Sequence, residues 1–69
     1  GRAIKRNKLK KGDLLFFFTS RTQGISHVGI YVGNEMFIHA PGKDKKIQKD
    51  SLADSYFRSR FAGACTYLE

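Results

Sequence analysis

The sequence predicts an α+β domain, an antiparallel sheet of about four or five strands with one short helix. Three observations carry this. Ser26 to Ala40, SHVGIYVGNEMFIHA, alternates along its length and is broken once, at Gly33-Asn34, the pattern of a hairpin. Leu14 to Phe18 is a short continuous apolar run behind the Gly12-Asp13 turn signal, which suits a strand buried on both faces. Ser51 to Arg60 is the one stretch with helical spacing.

Taken in order, the chain opens with GRAIKRNKLKK, a basic leader over residues 1–11 that holds six of the thirteen Lys and Arg. It reads as a solvated lead-in to the first strand or as an arm that attracts an anionic polymer. Leu14 to Phe18 is the first strand, and the polar stretch Thr19 to Gly24 is a loop. Ser26 to Val32 and Met36 to Ala40 follow as strands. PGKDKK is a proline-glycine loop with a solvated basic cluster, and Ile47-Gln48 is a short strand behind it. Ser51 then acts as a helix cap with Asp54 in the first turn, and Leu52 with Tyr56 and Ala53 with Phe57 share helical faces. The helix ends near Arg60, and RFAGACTYL closes the chain as a last strand.

Length sets a constraint. Residues 1–69 are a single domain or part of one, and a chain this short buries only about 60% of its unfolded surface. Small folds compensate with disulfides, a metal, a partner or a further segment. Cys65 is the only thiol, so no disulfide forms within the chain. Two histidines and one cysteine without a paired motif do not make a structural zinc site, and no cofactor is implied. A partner or a further segment is left. Apolar residues at 41% and a single proline describe a globular chain, and no apolar run reaches the length of a membrane span. No signal peptide is visible in this chain. The net charge of +7 comes without a recognition helix or stacking motif, so nucleic acid is not an expected partner.

Both histidines fall in the hairpin, and the turn decides which way they face. A two-residue loop of Gly33-Asn34 would set Val28 opposite His39 and mix aliphatic and polar residues on one face. A three-residue loop, Gly33-Asn34-Glu35, pairs Val32 with Met36, Ile30 with Ile38 and Val28 with Ala40, all apolar. The other face then carries His27, Gly29, Tyr31, Phe37 and His39. Three-residue loops need one left-handed residue, which Gly or Asn supplies cheaply. In this register Gly29 lies opposite His39, and His27 is its diagonal neighbour at about 7–8 Å by backbone, with no Gly29 side chain between the rings. A strand histidine taken singly is ordinary. Two on one face, flanked by Gly, Tyr and Phe, form the base-plus-orienter half of a nucleophilic triad.

The nucleophile is absent from this pattern. Cys65 lies in the last strand without a following helix or an adjacent cation, and reads as a buried strand cysteine. Ser20 and Ser26 have no nucleophile-elbow context. Metal binding by His27 and His39 would need a third ligand, and no carboxylate has an expected place on that face.

GDLLFFF, HVGIYVGNEMFIHA and RFAGACTYL together resemble, in order and spacing, the C-terminal half of the NlpC-type cell-wall cysteine peptidases, papain-like enzymes that cut peptidoglycan stem peptides. The resemblance runs from about Gly1 to Leu68. It implies the sheet half of a papain-like fold, an extracytoplasmic location, His27 as general base and His39 as the residue that orients it. Tyr31 and Phe37 would then lie under covering helices and not against substrate. The family's nucleophilic cysteine opens a helix in a DCSG segment N-terminal to the matched region, and this chain has no such segment. The resemblance thus implies a missing N-terminal half, in the same polypeptide or a separate chain, and no peptidase activity for this chain alone. Two other readings stay open: a non-catalytic basic binding module on the same scaffold, and a permuted thiol acyltransferase whose cysteine follows the histidines.

Overall fold

The structure, a computed structural model, describes residues 2–20, 24–40 and 46–66. Its strands are β1 (Arg2–Ile4), β2 (Leu14–Ser20), β3 (Gly24–Gly33), β4 (Met36–His39), β5 (Gln48–Ser51) and β6 (Phe61–Thr66), with helix α1 (Ser55–Arg60) before β6. They form one antiparallel sheet in the order β1-β6-β2-β3-β4-β5. Strands β2 to β5 run as a meander. The chain then crosses back through α1, so that β6 pairs with the other edge of β2. The expected class holds, with one strand more than anticipated.

The extra strand is β1. It lies in the basic segment read as a solvated leader, and Ala3 pairs with Cys65. A turn of 3₁₀ helix follows at Arg6–Lys8. Arg6 donates to Glu35 Oε1 at 3.1 Å and to the Leu52 carbonyl at 3.3 Å, so part of the leader's charge is used within the fold. The Gly12-Asp13 turn forms as expected. Gly12 takes a φ of 96°, and the buried Asp13 carboxylate accepts the Lys10 amide at 2.9 Å.

The inner face of the sheet carries Leu15, Phe17, Tyr31, Phe37 and Ala64, joined by Leu52 from the β5–α1 connection. Fully burying each large side chain contributes about 1.5–3 kcal/mol. Phe57 of α1 closes over this face, with ring centroids 5.1 Å from Phe37 and 5.8 Å from Phe17. The cover over Phe37 is therefore the chain's own helix, not an outside one. The other face differs from expectation. Leu14 to Phe18 was expected to be buried on both sides, yet Phe18, Val28 and Ile30 on the outer face are more than 40% exposed. Continuous apolarity marks two faces that each call for cover, but not that this stretch of chain supplies it for both.

Three boundaries move. Thr19 and Ser20 extend β2 and Gly24 opens β3, so the polar loop shrinks, and residues 21–23 lie outside the described part. The short strand expected at Ile47-Gln48 runs instead from Gln48 to Ser51. Ser51 pairs with Met36 as the last residue of β5 and the helix starts only at Ser55, so Ser51 lies too far upstream to cap it. Asp54 is the N-cap, accepting the Tyr56 amide at 2.9 Å, while Ser51 Oγ accepts the Ala53 amide in a local turn. Leu52 and Ala53 precede the helix and share no helical face with Tyr56 and Phe57. The helix ends at Arg60 as expected. The PGKDKK loop and the end of the last strand fall mostly outside the described residues.

Candidate active site

The β3–β4 hairpin has the expected body and a different tip. Ile30 pairs with Ile38 and Tyr31 with Phe37, as the three-residue loop required. The turn itself is a doublet, Asn34-Glu35, both left-handed at φ 54° and 65°. Gly33 pairs with Met36, and the odd residue is taken up by a bulge between Tyr31 and Gly33. A two-residue turn with both residues left-handed matches strand twist, and the bulge preserves the register that keeps the faces apart. Tyr31 Oη accepts the Glu35 amide at 2.9 Å and supports this strained residue.

The two imidazoles meet. His27 Nε2 lies 2.7 Å from His39 Nδ1, with ring centroids 5.0 Å apart and planes at 72°. His27 pairs with Phe17, and the β2–β3 ladder shifts immediately afterwards, where Phe18 faces Ile25. Such bulges beside sites re-aim a side chain at the end of a sheet. Gly29 acts differently from expectation. A Cβ there would meet Phe37 Cδ2 at 2.8 Å and the Ile38 carbonyl at 3.1 Å, so the missing side chain admits the Phe37 ring. That ring lies 4.6 Å from His39 by centroid, and Phe57 stands edge-on to His39 at 5.2 Å. His39 is thus buried between two phenylalanines, while His27 is half-buried at the rim.

A third group was not anticipated. Asp50 Oδ2 lies 2.7 Å from His39 Nε2 and also accepts from Gln48 Nε2 at 2.6 Å. The β4–β5 register pairs Phe37 with Asp50 and His39 with Gln48, which makes Asp50 the diagonal neighbour of His39 on the inner face. His27 holds the corresponding position on the other side. The same diagonal rule would have found Asp50 had the strand been carried past Gln48. One carboxylate does therefore reach this face. It forms a line with the imidazoles, each His39 nitrogen taken by one neighbour, and does not converge with them on a point where a cation could sit.

Electrostatics follow from these contacts. Burial, then the neighbouring His39, holds the His27 imidazole below its ordinary pKa. The hydrogen bond from His39, with a further one from Gln48, holds the Asp50 carboxyl below the usual range against the opposing effect of burial. Cys65 is placed elsewhere. It pairs with Leu14, which pairs with Ile30, so it shares the outer face and lies across the sheet from His27.

The NlpC/P60 family profile matches residues 1–66. The chain belongs to the NlpC/P60 family. It is 44% identical over 61 residues to the murein DD-endopeptidase MepH of Escherichia coli strain K12, covering 88% of this chain and 22% of that protein. It is 40% identical over 63 residues to the peptidoglycan DL-endopeptidase CwlO of Bacillus licheniformis, covering 91% of this chain and 13% of that protein. The crystal structure of an NlpC/P60 family protein from Bacillus cereus ATCC 10987 superposes with a TM-score of 0.86 at 33% identity, over 100% of this chain and 23% of that one. This NlpC/P60 chain therefore spans less than a quarter of the length of each of these relatives, and it matches the C-terminal part of the curated ones.

Proposed function

We propose that this chain is the histidine-bearing part of a cysteine peptidase that hydrolyses peptide bonds in peptidoglycan outside the cytoplasm. The observation that carries the reading is the 2.7 Å bond between His27 Nε2 and His39 Nδ1 at the half-buried rim of the sheet. The names of the family relatives, both peptidoglycan or murein endopeptidases, support the substrate class. In this reading His27 is the general base and His39 its orienting partner. The nucleophile belongs to sequence outside these residues, because Cys65 occupies the opposite face.

The chemistry then follows from the bond pattern. With Nε2 of His27 committed to His39, Nδ1 is left to take the thiol proton. The thiolate attacks the peptide carbonyl, and the tetrahedral intermediate collapses as His27 returns the proton to the leaving amine. Water, deprotonated by the same nitrogen, attacks the thioester and releases the acid. Burial of His27 suits this role, since a neutral imidazole at neutral pH is ready to accept.

The test is His27→Ala in the protein that carries the nucleophile, assayed on purified peptidoglycan peptides with circular dichroism as a folding control. Loss of a general base should lower kcat by about 10²–10⁴-fold with the fold retained. Turnover at the parent rate would exclude His27 from catalysis.

A further inference from the structure

The reaction just proposed uses the two imidazoles and leaves Asp50 without a role, although among the described residues it is the carboxylate bonded to the pair. His39 is a symmetric problem: a neutral imidazole carries one proton, and both of its nitrogens have partners at 2.7 Å. A partner able both to donate and to accept would leave the proton on either nitrogen. An ionised carboxylate only accepts. Asp50 is kept ionised by the hydrogen bonds from His39 and Gln48, and the Gln48 amide holds the accepting oxygen in place at 2.6 Å.

We propose that Asp50 is a positioning residue that sets the direction of the imidazole pair. By accepting the Nε2 proton of His39 it makes His39 Nδ1 an acceptor. His27 must then carry its proton on Nε2, which presents the lone pair of Nδ1 to the thiol. One carboxylate on β5 thus determines the tautomer of a base two strands away. The catalytic consequence rests on the peptidase reading of His27; the tautomer assignment does not.

The proton balance is simple. The thiol proton moves to His27 Nδ1 and later to the leaving amine, and none passes to His39 or Asp50. What Asp50 adds when His27 becomes an imidazolium is a fixed negative charge behind a buried ring walled by Phe37 and Phe57. Such surroundings screen it less than water would. Wrong-tautomer penalties of this kind are familiar from the carboxylate of the serine-protease triad.

The experiment compares Asp50→Asn with the parent in the protein that carries the nucleophile. An amide at this position donates as well as accepts, so it permits the opposite His39 tautomer. Two-bond ¹⁵N–¹H spectra of the imidazoles should show both protons on Nε2 in the parent and a mixture or reversal in the variant. The kcat should fall about 10–100-fold, less than for loss of the base itself, with KM within about twofold. Unchanged spectra together with parental kcat would overturn the inference. So would a lower melting temperature with spectra and kcat intact, since that is a purely structural role. The two proposals separate cleanly. An active His27→Ala variant beside a tautomer change in Asp50→Asn removes the peptidase reading and keeps this one, and an inactive His27→Ala beside a fully parental Asp50→Asn does the reverse.

Discussion

At the scale of single residues, the site depends on three polar groups that are each affordable only because of the next. A buried imidazole such as His39 needs partners for both nitrogens, and it has them in His27 and Asp50. The price of this arrangement is paid in acid. His27 has its pKa depressed by burial and by His39, so an unfolded chain takes up a proton near pH 6.5 while the folded one resists. Stability from this group is complete above about pH 6.5 and is lost as the pH falls through the folded value. Asp50 is depressed by its bond to His39, so its contribution is complete above the ordinary carboxylate range and disappears as pH falls through its lower folded pKa. Melting temperature should therefore decline in two windows on acidification. His27→Ala should flatten the upper one and Asp50→Asn the lower. A melting temperature that stays level from pH 7 to pH 3 would contradict both assignments.

At the scale of elements, the β3–β4 hairpin is the component that aligns the rings. Its left-handed Asn34-Glu35 turn and the adjoining bulge hold a register in which Phe37 slides over Gly29 and braces His39. Gly29→Ala tests this. The new methyl would press on Phe37 at 2.8 Å, where the ring can yield, and on the Ile38 carbonyl at 3.1 Å, where the backbone cannot move freely. Overpacking of this kind costs about 1–3 kcal/mol, which in a domain this small lowers the melting temperature by roughly 4–8 °C per kcal/mol. An unchanged melting temperature would show that Phe37 has room to spare. Helix α1 is short for a helix, only Ser55–Arg60, and its stability comes from tertiary contact and local caps. Asp54 satisfies its start, Arg60 reaches the Tyr56 carbonyl and stacks on the Tyr56 ring at 3.9 Å, and Phe57 contributes the packing.

At the scale of the whole molecule, the two sheet faces are unequal. The inner face is closed by α1 and Leu52. The outer one exposes Phe18, Ile25, Val28 and Ile30, with a shallow apolar depression running from Leu14 to Ile38 and Ile47. Contiguous apolar patches of this kind mark surfaces that something else covers. We propose that further polypeptide of the same NlpC/P60 domain covers it, in keeping with the small share of each relative's length that these residues represent. Val28→Lys with Ile30→Lys is the direct test in the longer protein. Burying unpaired ammonium groups should destabilise it by more than about 3 kcal/mol, whereas on an open face the change would stay within about 0.5 kcal/mol. A shift of the smaller size, measured by denaturant unfolding, would reject the proposal.

How far the site was legible follows from the range of the interactions involved. The alternation from Ser26 to Ala40 has a period of two and needs only neighbouring residues, so it determined which side chains share a face and hence that His27 and His39 meet. The Gly12-Asp13 turn and the end of the helix at Arg60 are local in the same sense. The bulge that replaced a longer turn could not be read this way, because both solutions give the body of the hairpin the same pairing. Asp50 was hidden for another reason: its place depends on β5 pairing with β4 across a loop, and polar QKDS carries no alternation to announce a strand. Cys65 and β1 likewise depended on pairing across most of the chain. Sequence by itself settled the two faces of the β3–β4 hairpin, since backbone geometry alternates them. Only the tertiary structure decided which strands lie side by side and which face is covered, since those choices are made by contacts between residues far apart in the chain.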